Sequence, residues 1–198
     1  MSGAAGAGRP LDLELVRDAR VRLRRSLRAI ETILRVAGAG ASQGVPYGDG
    51  SRGASTCIRE AIEAELASFV EEAAARGKRL VQRLDALGDR RCRLDTLVLR
   101  QALAILIDNA LRYGVAGPVW IDGSATDGEL AVRVTDSGPG LSAERAASAA
   151  TTGGSGLGLE LCRALVANAG GSLMLERDGE DGTCFCLRLP MNRRLAEA

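Results

Sequence analysis

The run Leu106-Ile107-Asp108-Asn109-Ala110-Leu111-Arg112-Tyr113 closes a long amphipathic pattern and decides how the rest of the chain is read. Upstream of it Leu99, Ala102, Leu103 and Leu106 recur at helical spacing, so one face is apolar. Asp95 stands where an N-cap belongs and Gly114 where a helix stops, which predicts one helix from Asp95 to about Tyr113. An Asn inside a helix is unfavourable because its amide competes for backbone hydrogen bonds. Asn109 and Arg112 lie within a turn of each other and can share a face. An amide oxygen ligates Mg²⁺ and a guanidinium suits phosphate oxygens. The plainer alternative is an Asn bonded to neighbouring backbone and an exposed Arg.

Downstream, Val119 to Asp122 and Leu130 to Thr135 read as strands around an Asp127-Gly128 turn. Asp136-Ser137-Gly138-Pro139-Gly140 follows the second strand. A carboxylate at a strand end, facing a cavity, accepts a hydrogen bond from an adenine amino group, and Gly138 and Gly140 let backbone approach the base. An ordinary Asp-Gly turn is the competing reading. Gly154-Ser155-Gly156-Leu157-Gly158 opens into a helix that runs to Ala169 and ends at Gly170-Gly171. Backbone N–H groups at a glycine-rich helix start form an anion site, and a flexible linker is the competing reading. The spacing differs from the dinucleotide fingerprint and lacks the Walker lysine. Ser172 to Glu176 and Cys184 to Leu189 then form a hairpin about the loop from Asp178 to Gly182.

Toward the N-terminus, Ile58, Ile62, Leu66, Phe69, Val70 and Ala73 mark a helix stopped by Gly77, and Leu80 to Leu84 a short strand. Residues 39–55 are Gly/Ser-rich, as a linker is. Within 11–38, Val16, Leu23, Ile30 and Ala37 recur at sevens beneath an Arg-rich face. That helix needs a partner to cover its stripe, and a homodimer through residues 11–38 is one expectation. Residues 1–10 read as a disordered start and 192–198 as a tail. The order predicts an α/β two-layer sandwich over 56–191, with helices on one face of a mixed sheet, preceded by a long amphipathic helix.

Across 198 residues the formal net charge is +1, which gives no global attraction to nucleic acid or an acidic membrane. Aromatic residues make up 3%, so the core must be aliphatic. The five cysteines are odd in number and not spaced as metal ligands. Cys184 and Cys186 share a strand face and are expected to be small core residues in a reducing setting. No stretch has the pattern of a signal peptide or the apolar length of a transmembrane helix, so a cytoplasmic location is expected.

The three motifs in this order resemble the catalytic ATP-binding domain of bacterial two-component sensor histidine kinases, in the superfamily shared with gyrase, HSP90 and MutL. The resemblance runs from about Ser55 to Pro190 and implies a Bergerat-type sheet holding ATP and Mg²⁺. It implies Asn109 as metal ligand, Arg112 as phosphate contact and Tyr113 as the aromatic on the adenine side. It implies Asp136, Gly138 and Gly140 at the adenine. Gly154, Ser155, Gly156, Leu157 and Gly158 would surround the phosphates, and Thr183, after Gly182, would hold the adenine end. Residues 11–38 resemble the end of the second helix of a kinase dimerisation hairpin.

Three departures qualify that implication. The chain has no histidine, so an acceptor His must come from another chain or a preceding segment. Ile105, one turn before Asn109, stands where relatives carry Glu or Asn, which argues against a water-activating ATPase. The segment from Leu141 to Thr152 is rich in Ala and Ser and lacks Phe, a small-residue lid. Three readings stay open. One is the ATP-binding catalytic portion of a sensor kinase that phosphorylates a His on another chain or segment. The others are a nucleotide-binding partner module without kinase activity, and an anti-sigma-type protein-serine kinase. Expected partners are ATP and a His-bearing kinase hairpin or response regulator, with no nucleic acid and no membrane contact.

Overall fold

The structure, a computed structural model, describes residues 55–138, 140, 157–179 and 181–191. The expected helix 11–38, the linker except Ser55, and the lid lie outside these residues. Strand β1 (Thr56–Cys57) leads into helix α1 (Ile58–Ala67) and helix α2 (Val70–Ala75). Strand β2 (Lys78–Arg83), a 3₁₀ turn (Asp85–Leu87) and strand β3 (Arg91–Cys92) follow. Helix α3 (Thr96–Tyr113), strands β4 (Gly117–Ala125) and β5 (Glu129–Thr135), helix α4 (Leu157–Asn168) and strands β6 (Ser172–Gly179) and β7 (Gly182–Pro190) complete it.

Five strands form one sheet in the order β2-β4-β5-β7-β6, while β1 and β3 pair separately as a short antiparallel ladder. Only β2 and β4 run parallel, and α3 lies in the crossover that joins them. The expected hairpin β4–β5 forms with Trp120 opposite Thr135, and β6–β7 with Leu173 opposite Leu187. Both are longer than the sequence pattern suggested. The last hairpin closes tightly at Gly179 and Gly182, so the expected loop from Asp178 is mostly strand.

The helices cover one sheet face. Val119 and Ile121, Leu130 and Val132, and Leu187 and Leu189 alternate toward Leu99, Leu103 and Ile107 of α3, all essentially inaccessible to solvent. Burying such a side chain stabilises by about 1.5–3 kcal/mol relative to exposure. Ala102 and Cys162, both fully buried, bring α3 and α4 together; the Cys162 thiol lies 3.9 Å from the Ala102 carbonyl.

One expectation is corrected. The helix over Ile58 to Ala73 is broken, because the Ser68 hydroxyl donates to the Glu65 carbonyl at 2.8 Å and ends α1. The break turns Phe69 inward and leaves Val70 57% exposed, so Val70 is no core residue. Cys184 and Cys186 are buried small residues as expected, set on the other side of the sheet from the helix-covered cluster. Cys186 stands opposite Arg133 and Cys184 opposite Thr135, on the face away from the helices. There Arg133 donates to both carboxylate oxygens of Glu176, at 2.7 and 3.2 Å. The side chain on the neighbouring strands therefore excludes water from Cys186 in place of a helix.

Candidate nucleotide site

Helix α3 is set by its first turn. Asp95 Oδ1 accepts from the Leu97 and Val98 N–H groups at 3.1 and 3.0 Å, as its cap position predicts. Eighteen residues later the helix stops at Gly114, whose N–H donates to the Ala110 carbonyl at 3.2 Å. Asn109 and Arg112 near this end are half-buried. The Arg112 guanidinium lies over the Tyr113 ring, 5.4 Å from its centroid, and orients both groups at the helix end.

The end of β5 and the start of β7 meet this helix end. The Asp136 N–H donates to the Thr183 carbonyl at 3.0 Å, and Asp136 Oδ1 accepts from the Gly138 N–H at 2.7 Å. Thr183 is buried. Gly182 has φ +113°, and a Cβ there would collide with the Asp136 carbonyl oxygen. Glycine is therefore required by close backbone approach as well as by dihedral angle. A Cβ on Gly138 would stand 2.7 Å from Asp136 Oδ1 and 3.1 Å from Gly114 Cα. Gly140, at φ +81°, packs so closely on Gly179 that a Cβ would reach its N atom at 3.0 Å.

Burial pushes the Asp136 carboxyl above the ordinary carboxylate range. Hydrogen bonds from the Gly138 and Thr183 backbone oppose that, as do the charges of Lys78 and Arg177. One oxygen of Asp136 is thus fixed by the following turn, and the group sits in low dielectric where a further hydrogen bond counts strongly.

Gly158, in the first turn of α4, comes close to α3: a Cβ on it would lie 3.7 Å from Ile105 Cγ2. The segment that ends the third glycine motif therefore enters α4 beside the helix that carries Asn109, one turn further on. Gly154, Ser155 and Gly156 lie outside the described residues, and the Leu157 side chain is not among those described. The structure thus brings Asp136, Gly138, Gly140, Thr183 and the Tyr113 end of α3 to one place, and sets Gly158 against Ile105.

Sequence reasoning missed Lys78. Its side chain is buried, and its Nζ donates to the carbonyls of Ala110 at 2.7 Å, Leu111 at 2.9 Å and Gly114 at 2.7 Å. Two signals were available. Lys78 is the only lysine among 26 basic residues, and it stands two positions before the inward-facing Leu80 on the same strand face.

No group of three or more His, Cys, Asp or Glu residues among those described is placed to hold a metal. No helix among them is long and apolar enough to cross a membrane.

The architecture is a two-layer α/β fold with a strand-end carboxylate beside the end of a polar-tipped helix. Residues 94–193 match the family described as histidine kinase-, DNA gyrase B- and HSP90-like ATPase, and the chain belongs to that family. The signal transduction histidine-protein kinase AfsQ2 of Streptomyces coelicolor is 36% identical over 120 residues, 55% of this chain and 22% of that protein. The sensor protein TorS of Escherichia coli is 39% identical over 102 residues, 47% of this chain and 11% of that protein. The chain thus spans a fifth or so, or less, of these relatives' length. Among solved structures, the Acinetobacter baumannii histidine kinase AdeS matches with a TM-score of 0.66 at 22% identity, over 95% of this chain and 89% of that one. Full-length ShkA in complex with AMPPNP matches with a TM-score of 0.66 at 25% identity, over 91% of this chain and 40% of that one. The fold is that of histidine kinase catalytic domains.

Proposed function

We propose that residues 56–191 bind Mg·ATP and serve as the catalytic portion of a two-component sensor histidine kinase. The observation that carries this reading is Asp136. It is half-buried at the end of β5, with one oxygen held by Gly138 and its backbone locked to Thr183. A desolvated, oriented acceptor of this kind suits the 6-amino group of adenine. Gly138 and Gly140 keep the approach to it free of side chains, and Tyr113 flanks it from the end of α3. The solved ShkA complex holds AMPPNP, an ATP analogue, in a related chain.

Asn109 and Arg112 face the phosphates in this reading, with Gly154, Ser155, Gly156, Leu157 and Gly158 supplying backbone N–H donors. The cation is carried in with the nucleotide in this reading. One protein amide, Asn109, would then complete a shell made mostly of phosphate oxygens and water. Bound there, Mg²⁺ would neutralise charge on the β- and γ-phosphates. The protein's own part is positioning: Asp136 fixes the base, Arg112 the phosphate charge, and Ile105 offers no carboxylate to activate water. The γ-phosphoryl is transferred to a histidine nitrogen of another chain or segment, and the bond to the β-phosphate oxygen breaks with ADP leaving. Residues 11–38 act as a dimerisation helix and the whole works in the cytoplasm.

Ile105 favours a second reading, a nucleotide-binding partner module without kinase activity. Its packing on the start of α4 leaves an apolar contact where relatives carry a polar side chain. One pair of measurements separates these. ATP titration with and without Mg²⁺ must show binding, and no binding at millimolar ATP overturns both. Labelling of a supplied His-bearing hairpin from γ-labelled ATP supports the kinase; ATP binding without labelling supports the partner module. Label appearing on serine identifies a protein-serine kinase.

A further inference from the structure

Lys78 belongs to no motif, yet it is the most constrained polar side chain near the site. It starts β2 on the helix-facing side and is 7% exposed. Its ammonium has three N–H donors and meets three carbonyls, those of Ala110, Leu111 and Gly114, at 2.7–2.9 Å. The Ala110 and Leu111 carbonyls belong to the last turn of α3 and Gly114 follows it, where a helix end also favours a positive charge. Everywhere else this chain takes its positive charge from arginine. A compact tetrahedral donor fits three converging carbonyls, and a planar guanidinium does not.

The same ammonium lies under Asp136. A Cβ on Gly114 would stand 3.1 Å from Lys78 Nζ and 3.2 Å from Asp136 Cβ, so the two side chains flank one point. Gly114 in turn lies against Gly138, whose N–H holds Asp136 Oδ1. Lys78 therefore ties the start of β2 to the end of α3, with Arg112 and Tyr113, and sets its charge beside the strand end that carries Asp136. Its charge also opposes the effect of burial on that carboxyl.

We propose that Lys78 is the positioning residue for adenine recognition: beside the end of α3 it sets the place of Asp136 so that the carboxylate meets the 6-amino group of the base. The proposal rests on the reading that Asp136 binds that amino group. The test uses the full chain, ATP, and purine riboside triphosphate, which lacks the 6-amino group, with affinities from calorimetry. The wild type should prefer ATP by roughly 10-fold or more, the size of one hydrogen bond to a charged group. Lys78→Met should lose most of that preference while its affinity for the analogue stays within about 3-fold, since only the amino contact depends on Asp136. Lys78→Arg should behave like Lys78→Met. A wild type that does not prefer ATP overturns the Asp136 reading and this proposal with it. A wild type that prefers ATP, with a Lys78→Met variant that keeps the preference or weakens both nucleotides equally, overturns the proposal alone.

A second measurement needs no variant. Lysine labelled with ¹⁵N at Nζ gives a single side-chain resonance, because the chain has one lysine. That resonance should shift on adding ATP and stay in place on adding the analogue at matched saturation. No shift with ATP, or the same shift with both, contradicts the proposed link.

Discussion

At the residue scale the site depends on close approach. Asp136→Asn keeps the shape but removes the charged acceptor, and should weaken ATP binding by about 10- to 100-fold, read by calorimetry. The pH dependence has a definite sign. Burial favours the protonated carboxyl, and the proposed contact with the amino group is stronger with the ionised form. Affinity is therefore present above the raised pKa and falls as pH drops through it, beginning at a higher pH than an ordinary carboxylate would give. The γ-phosphate of ATP titrates as well, so the readout is the difference between wild type and Asp136→Asn across a pH series; parallel curves would contradict it. Gly182→Ala adds a Cβ onto the Asp136 carbonyl and should destabilise by roughly 2–4 kcal/mol, visible as a lower Tm. The family resemblance implied that Asp136, Gly138 and Thr183 share a site. It did not show that Gly182 is fixed by the carbonyl of Asp136, because that contact joins two strands 46 residues apart in the chain.

Among the elements, α3 was the most legible. Its cap, apolar stripe and stop all point the same way, and the helix runs from Thr96 to Tyr113 as expected. Asp95→Ala should cost about 1 kcal/mol by leaving the Leu97 and Val98 N–H groups without their acceptor, measured by denaturant unfolding. Leu103→Ala, fully buried where α3 meets the sheet, should cost about 2–5 kcal/mol. A loss below 1 kcal/mol there would mean that α3 does not carry the core. The helix after Ser55 was read less well. Its apolar spacing continues through Phe69 and Val70, and only the competing hydrogen bond of Ser68 breaks it. The pair β1–β3 escaped notice because two-residue strands carry no alternation to read.

For the whole molecule, the apolar cluster from Ile58 to Met191 closes on itself among the described residues. We expect residues 55–191 alone to bind ATP within about 2-fold of the full chain and to unfold in one transition. Loss of cooperative unfolding in that fragment would show that the preceding residues belong to the folded unit. All five cysteines are buried, and burial pushes the Cys162 thiol up to about 12. Thiol reagents should therefore label the native domain slowly and at the rate of opening. The Cys186 thiol on the outer sheet face is no exception, because burial and its contact with Glu176 raise it.

The chain order of the five strands of the main sheet, the capped helix carrying Asn109, and the turn after Asp136 follow from the sequence alone, because each rests on local periodicity and on residues with restricted backbone chemistry. The tertiary structure decided the rest. It placed Lys78 under Asp136, Gly182 against its carbonyl, and Gly158 beside Ile105, and it sent two cysteines to the outer face. Those are contacts between distant segments, fixed by strand register and by three-dimensional packing of the helix end, and no pattern along the chain encodes them locally.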